Sequence, residues 1–186
     1  MNKVFIGGSR KLTKLPAQVK DRLHNIIRSN FVVLIGDANG SDKCVQSYLA
    51  DQGFKAVIVF CMAGKCRNNV GAWEVREVVA DSDEKNFSFY ATKDLEMAKE
   101  ASYGFMIWDA KSKGTLNNII NLLKRNKKVL VYLSTDKSFC TLSSFHDLPR
   151  LLASCDKEAL EMLNRKLGIM NFLREIQTEL DFAQIK

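Results

Sequence analysis

Apolar residues recur along the chain in two rhythms. Short β-branched and aromatic runs at Lys3–Ile6, Phe31–Ile35, Ala56–Phe60, Tyr103–Trp108 and Lys127–Leu133 read as strands. Between them, apolar positions return every three or four residues. Val19, Leu23, Ile26 and Ile27 mark a helix opened by Leu15-Pro16, and Val45, Tyr48 and Leu49 mark one running from Ser41 towards Gly53. Further helices are predicted over Lys93–Glu100 and Leu116–Lys124. The pattern also predicts a helix over Ala72–Ala80 with Trp73 and Val79 inward, a charged turn at Asp81–Asn86, and a short strand at Phe87–Tyr90. Ser134–Ser144 reads as a polar loop, and Phe145–Ala153 as a short helix in which Pro149 fits badly. Strands alternating with helices up to about residue 133 predict an α/β fold. Its sheet is mostly parallel and covered on both faces, with ligands at the C-terminal strand ends.

The tail has a different rhythm. Leu160, Leu163, Leu167, Ile169, Leu173, Ile176 and Leu180 fall at three- and four-residue steps within Asp156–Leu180. They predict an amphipathic helix or a hairpin hinged near Gly168. It docks either on its own core or on a second copy, giving a homodimer through the C-terminal helices. The expected division is a ligand-binding domain over 1–150 and a helical extension over 151–186.

Composition narrows the class. A chain of 186 residues, 46% hydrophobic and 26% charged, suits one soluble domain with a small appendage. No run is apolar for long enough to span a bilayer, and the apolar part of the opening segment is too short for a signal peptide, so a cytoplasmic location is expected. The five cysteines are odd in number and predict free thiols. Cys61 and Cys66 form the one close pair, and with two histidines in the chain neither a metal site nor a cofactor is expected. The net charge of +7 suits an anionic ligand or nucleic acid, or else a solvated basic surface.

Candidate chemistry collects where strands end. After Ile6 come Gly7, Gly8, Ser9 and Arg10: two glycines that suit an anion nest, and a guanidinium fork for phosphate. After Ile35 come Gly36, Asp37, Ala38, Asn39, Gly40, Ser41 and Asp42, a glycine-flanked loop opening a helix, where Asp37 and Asn39 would bond ribose hydroxyls or a base. After Trp108 comes Asp109, and then Gly114 and Thr115 at a helix N-terminus. The bland alternative at each is an ordinary turn with Ser41 or Thr115 as N-cap. A fourth, longer loop carries Arg67, Asn68 and Asn69 between Gly64 and Gly71, and is expected to reach over a ligand. In so basic a site Asp109 or Asp37 would stay ionised, which suits a nucleophile.

The Val4-Phe5-Ile6-Gly7-Gly8-Ser9-Arg10 opening, the Gly36–Asp42 loop and Gly114-Thr115 together resemble the SLOG superfamily over roughly Lys3 to Leu133. That group of Rossmann-like domains includes YspA-type proteins, lysine-decarboxylase-like phosphoribohydrolases and the DNA-processing protein DprA. The resemblance implies a Rossmann-like three-layer sandwich that binds a nucleotide or a nucleotide-derived, ADP-ribose-like molecule. Some members cut N-glycosidic bonds with a Pro-Gly-Gly turn and a glutamate after Gly-Thr. Here Lys111-Ser112-Lys113 replaces the turn and Asn118 replaces the glutamate. An amide cannot serve as a general base, so the departure favours a sensor or binding domain over a hydrolase. The alternative is an N-glycosidic hydrolase or a deoxyribosyltransferase-like enzyme using Asp109 or Asp37, with Asp94 and Glu96 as upstream acids. DNA binding, as the DprA kinship implies, ranks last.

Overall fold

The computed structural model describes residues 1–79 and 87–174. Its strands are β1 (Lys3–Gly8), β2 (Val32–Gly36), β3 (Val57–Met62), β4 (Glu74–Val78), β5 (Tyr103–Trp108), β6 (Lys128–Leu133) and β7 (Ser138–Leu142). The described residues form one seven-stranded sheet in the order β4-β3-β2-β1-β5-β6-β7. All neighbours pair in parallel except β6 and β7, which are antiparallel. The chain grows outward from β1 to β4, then returns to add β5 on the other side of β1. That reversal opens a crevice between the C-terminal ends of β1 and β5, where open α/β sheets bind ligands.

Alternate strand residues feed two cores, as the two-residue period of a strand requires. Val4, Ile6, Val33, Ile35, Val59 and Ile107 pack with Val19, Leu23, Val45 and Leu49 of α1 (Ala17–Arg28) and α2 (Ser41–Asp51). Phe5, Leu34, Phe60, Met106 and Trp108 face the other way. They pack with Met97 of α3 (Phe87–Glu100) and with Leu116 and Ile119 of α4 (Lys113–Leu123). The result is three layers, helix on sheet on helix.

Four local expectations are corrected. The described part of the predicted Ala72–Ala80 helix, up to Val79, is not helical: Glu74–Val78 is an edge strand beside β3. Glu74, Val75 and Glu77 are exposed and Arg76 and Val78 half-buried, as suits an edge, and Val79 is 77% exposed rather than inward. Trp73 is buried, its Nε1 donating to the Phe54 carbonyl at 2.9 Å. Phe87–Tyr90 opens α3, since both sheet edges are already taken by β4 and β7. Ser134–Ser144 contains β7, which Phe139 fastens by packing edge-on against Tyr132. Finally, α4 starts at Lys113 with Ser112 as its N-cap, so Thr115 lies inside the first turn.

Pro149 falls in the first turn of α5 (Leu148–Leu152), where its missing N–H costs nothing. The tail forms α6 (Lys157–Leu167), which stops at Gly168 with φ 64° at the expected hinge, and residues 169–174 are again helical. Leu163 and Ile169 are fully buried in the same core as Trp108 and Leu116, so this part of the tail docks on its own sheet. The predicted turn at Asp81–Asn86 and the stripe positions Ile176 and Leu180 lie outside the described residues. No helix among the described residues is long and apolar enough to cross a membrane.

Candidate functional site

A cleft of about 660 Å³ opens at the switch point. Its near wall is the end of β1, zipped to both neighbours. The Ser9 N–H donates to the Ile107 carbonyl at 2.9 Å, while the N–H and hydroxyl of Ser41 donate to the Ser9 carbonyl at 3.1 and 2.8 Å. Gly40 makes this contact possible: its φ is 83°, and a Cβ there would collide with the Arg10 backbone. Gly40 therefore joins two loops instead of facing a ligand.

Asp109 closes the far wall. Its Oδ2 accepts from the Ser9 hydroxyl at 2.6 Å, and its Oδ1 accepts from the N–H groups of Lys111 and Ser112 at 3.1 and 2.7 Å. Burial pushes this carboxyl up, but the hydrogen bonds outweigh it and hold Asp109 below the ordinary aspartate range. Ser112 caps α4, its hydroxyl oxygen accepting from the Thr115 N–H at 3.4 Å and the Thr115 hydroxyl at 3.0 Å. Gly114, one position earlier, faces open space.

The floor is built around a buried lysine. Lys93 is 3% exposed, and its ammonium donates to Asp94 Oδ1 at 2.9 Å and lies 3.8 Å from Asp37 Oδ1. Burial alone would lower its pKa, yet Asp94, Asp42 and Asp37 together raise it. Asp42 is also buried, with Oδ2 accepting from the Ala38 N–H at 3.1 Å. Desolvation pushes Asp42 up to about 6, although the Lys93 charge pulls the other way. Gly36 leaves room for this pair, since a Cβ there would lie 2.5 Å from Asp42 Oδ2 and 2.7 Å from Lys93 Nζ. Next to it, Asn118 Nδ2 donates to Asp94 Oδ2 at 3.1 Å, and the buried Asn118 Oδ1 has no hydrogen-bond partner among the described residues.

The long loop after β3 turns its donors to Asp37 and Asn39. Arg67 donates from Nε and from its terminal nitrogen to Asp37 at 3.0 and 2.6 Å, and its backbone N–H adds a third bond at 3.1 Å. Burial raises the Asp37 carboxyl, but Arg67 and Lys93 outweigh that and hold it low. Asn68 donates to the Asp37 carbonyl at 2.7 Å and to Asn39 Oδ1 at 3.1 Å. Asn69 clasps Trp73 through both ends of its amide. Cys61 and Cys66 are joined as a disulfide, which corrects the expectation of free thiols throughout; Cys44, Cys140 and Cys155 are free. Asp37 approaches this pair, with ligand atoms of all three within 4.8 Å, though both sulfurs are taken up by the bond. The Arg67 guanidinium lies over the Tyr90 ring at 5.0 Å, and that of Arg10 at 5.5 Å.

The cleft thus gathers Gly7, Gly8, Ser9, Arg10, Gly36, Ala38, Asp42, Asp109, Gly114 and Thr115. Asp37, Asn39, Gly40, Arg67, Asn68 and Asn69 are outside that lining: Arg67 and Asn68 bolt the long loop to Asp37 and Asn39, Asn69 holds Trp73, and Gly40 packs on the Arg10 backbone. Sequence reasoning passed over Lys93 and Tyr90 and gave Asp94 only a minor part. It noted Asn118 solely as a replaced glutamate. Asn118 follows Thr115 by three residues on α4, a spacing that places both on one helix face; Lys93 gave no comparable signal. Arg10, Lys11, Lys111 and Lys113 line the mouth, Lys111 pairing with Asp156 at 2.9 Å. The mouth is therefore cationic, while the floor sets the carboxylates of Asp42 and Asp94 around the buried ammonium of Lys93.

No protein-family model and no curated protein matches the chain. Solved structures do. DNA processing protein A from Helicobacter pylori, described for its single-stranded DNA binding mode, superposes with a TM-score of 0.56 at 15% identity, covering 90% of this chain and 80% of that one. DNA processing protein A from Streptococcus pneumoniae gives a TM-score of 0.48 at 17% identity over 70% of this chain and 50% of that one. The first of these superpositions shows that the chain has a fold similar to that of DNA processing protein A, whose Rossmann-like domain belongs to the SLOG superfamily.

Proposed function

We propose that the chain binds a nucleotide or a nucleotide-derived, ADP-ribose-like molecule in the switch-point cleft and serves as a sensor or binding domain. The observation that carries this reading is the cleft itself: four basic side chains at the mouth, Asp42 and Asp94 held around the Lys93 ammonium at the floor, and a volume of about 660 Å³. Small-molecule sites span about 300–1,000 Å³. Phosphates would meet Arg10 and the first turn of α4 at Gly114 and Thr115, and the sugar and base would extend inward.

Three features favour binding over turnover. Both oxygens of Asp109 are engaged by loop donors, Asp37 lies behind the Arg67 fork, and position 118 carries an amide. Cleavage of an N-glycosidic bond is the alternative and would release free base. Single-stranded DNA is a second reading, supported by the fold match and the net charge of +7; it demands an affinity that falls steeply with salt.

The experiment is a thermal-shift screen of the intact chain against nucleoside mono-, di- and triphosphates, NAD, ADP-ribose and oligodeoxynucleotides, with chromatography of each mixture. Saturation at a hundred times Kd adds about 2.7 kcal/mol of stability. A shift with the ligand recovered intact supports the binding domain. Released base identifies an enzyme, and no shift with any mononucleotide or dinucleotide refutes the reading.

A further inference from the structure

A turn at the end of β3 brings together the two cysteines that lie five residues apart in the sequence. The Lys65 N–H donates to the Met62 carbonyl at 3.2 Å, and Gly64 takes φ 79° in open space, as the third position of a type II turn requires. The Ala63 N–H donates to the Val78 carbonyl of β4 at 2.9 Å and anchors the turn to the sheet. The Cα atoms of Cys61 and Cys66 are thereby held 5.1 Å apart, within the span of a disulfide, and their bond closes the turn. The two sulfurs differ in access. Cys61 is 0% exposed and packs in the core with Val59 and Trp73, whereas Cys66 is exposed between Lys65 and Arg67. Cys44, Cys140 and Cys155 are half-buried and free. Burial pushes the Cys44 thiol up and that of Cys155 to about 11, which keeps both protonated and unreactive.

We propose that Cys66 is a thiol–disulfide exchange site for low-molecular-weight thiols, with the buried Cys61 as the resolving partner that recloses the bond. The small thiol, having lost its proton to water, attacks Cys66 Sγ. A bond forms between the small thiol's sulfur and Cys66 as the Cys61–Cys66 bond breaks, and Cys61 leaves with the electron pair and takes up a proton. A second small thiolate attacks the outer sulfur of the adduct, frees Cys66 and departs with the first as a small disulfide. Two electrons have then passed from the small thiols to the Cys61–Cys66 bond. In reverse, Cys66 as thiolate attacks the small disulfide, and Cys61 displaces the small thiol from the adduct to restore the bond. The basic neighbours Lys65 and Arg67 favour the Cys66 thiolate. Neither cysteine lines the switch-point cleft, so the site is independent of what the cleft binds.

The test is incubation of the intact chain with mixtures of reduced and oxidised glutathione, followed by acid quenching and peptide mass spectrometry. The adduct is expected on Cys66, and it is lost as the Cys61–Cys66 bond reforms once free glutathione is removed. Cys61→Ser takes away the resolving thiol, so the adduct on Cys66 accumulates and persists; Cys66→Ser abolishes it. Glutathione on Cys61 instead, or spread equally over Cys44, Cys140 and Cys155, overturns the site. A Cys61–Cys66 bond that stays intact in excess reduced glutathione overturns it too, as does a Cys61–Cys66 dithiol that oxidised glutathione leaves unchanged. These wild-type outcomes need no variant to fold. A folded Cys61→Ser chain that gathers no adduct on Cys66 also overturns the proposal.

Discussion

Replacing Lys93 with Met asks whether one buried ammonium holds the floor of the cleft together. Methionine keeps a flexible unbranched stem of similar length, so packing changes little and the charge is what is lost. The ammonium lies 2.9 Å from Asp94 and 3.8 Å from Asp37, and its charge also lowers the pKa of Asp42. Unit charges about 4 Å apart attract by about 4 kcal/mol at an effective dielectric constant near 20, and removing one partner of a buried pair costs about 3–5 kcal/mol. The loss depends on pH. At pH 5 Asp42, with a pKa of about 6, is already protonated, so Asp94 and Asp37 alone feel the change. At pH 8 the Asp42 carboxylate has lost its counter-charge too, and the loss is larger by about 1 kcal/mol or more. Urea unfolding followed by the fluorescence of buried Trp73 and Trp108, at both pH values, reads this directly. A loss below about 1 kcal/mol, or one equal at the two pH values, would refute the electrostatic account.

Three other outcomes follow from the same geometry. Asp42 holds its proton more tightly folded than unfolded, so its stabilising contribution is complete below pH 3.8 and falls away as pH rises to about 6; the total is about 3 kcal/mol. Asp42→Asn flattens that part of the stability-against-pH curve, whereas Asp37 and Asp109, whose pKa values are lowered, contribute fully above 3.8 and lose that stability only as pH falls below it. Arg67→Met leaves the buried Asp37 carboxylate with Lys93 as its remaining cation and releases the loop over residues 63–73. Unfolding free energy drops by about 3 kcal/mol, and limited proteolysis cuts that loop faster; an unchanged cleavage rate contradicts the bolt. Gly40→Ala, at φ 83° and against the Arg10 backbone, destabilises by more than about 1 kcal/mol, while Gly114→Ala, in open space inside α4, stabilises by about 0.5–1 kcal/mol, both by thermal melting.

The sheet was legible because its central strands are buried on both faces and read as continuous apolar runs. The edges were not. Glu74–Val78 and Ser138–Leu142 are half exposed and polar, and their pairing with β3 and β6 is a property of the assembled sheet. Aromatic residues at Phe87–Tyr90 favoured a strand by propensity, and tertiary context overrode them. Among the glycine loops, the sequence located the rim and the three strand ends. It assigned Arg67 and Asn68 to a ligand because nothing local shows that Asp37, thirty residues away from Arg67, stands in the way. Lys93 escaped notice for the same reason: Asp94 is its neighbour on α3, but Asp37 and Asp42 come from the distant segment after β2 and meet it only in the folded chain. The Cys61–Cys66 pairing was hidden by the odd cysteine count, which argued against disulfides as a group.

Ligand binding in the switch-point cleft is tested most directly by filling that cleft. Gly114 lines the cleft and has no heavy atom within 4 Å of a built Cβ, so Gly114→Trp plugs the space without a clash at its base. Isothermal titration of the wild-type and plugged chains with the nucleotide that gives the largest thermal shift decides the matter. The account predicts saturable one-to-one binding by the wild type and a loss of at least about tenfold in Gly114→Trp, with the melting temperature of the free protein maintained. Equal affinity in the two chains, or no nucleotide binding by the wild type, would contradict it.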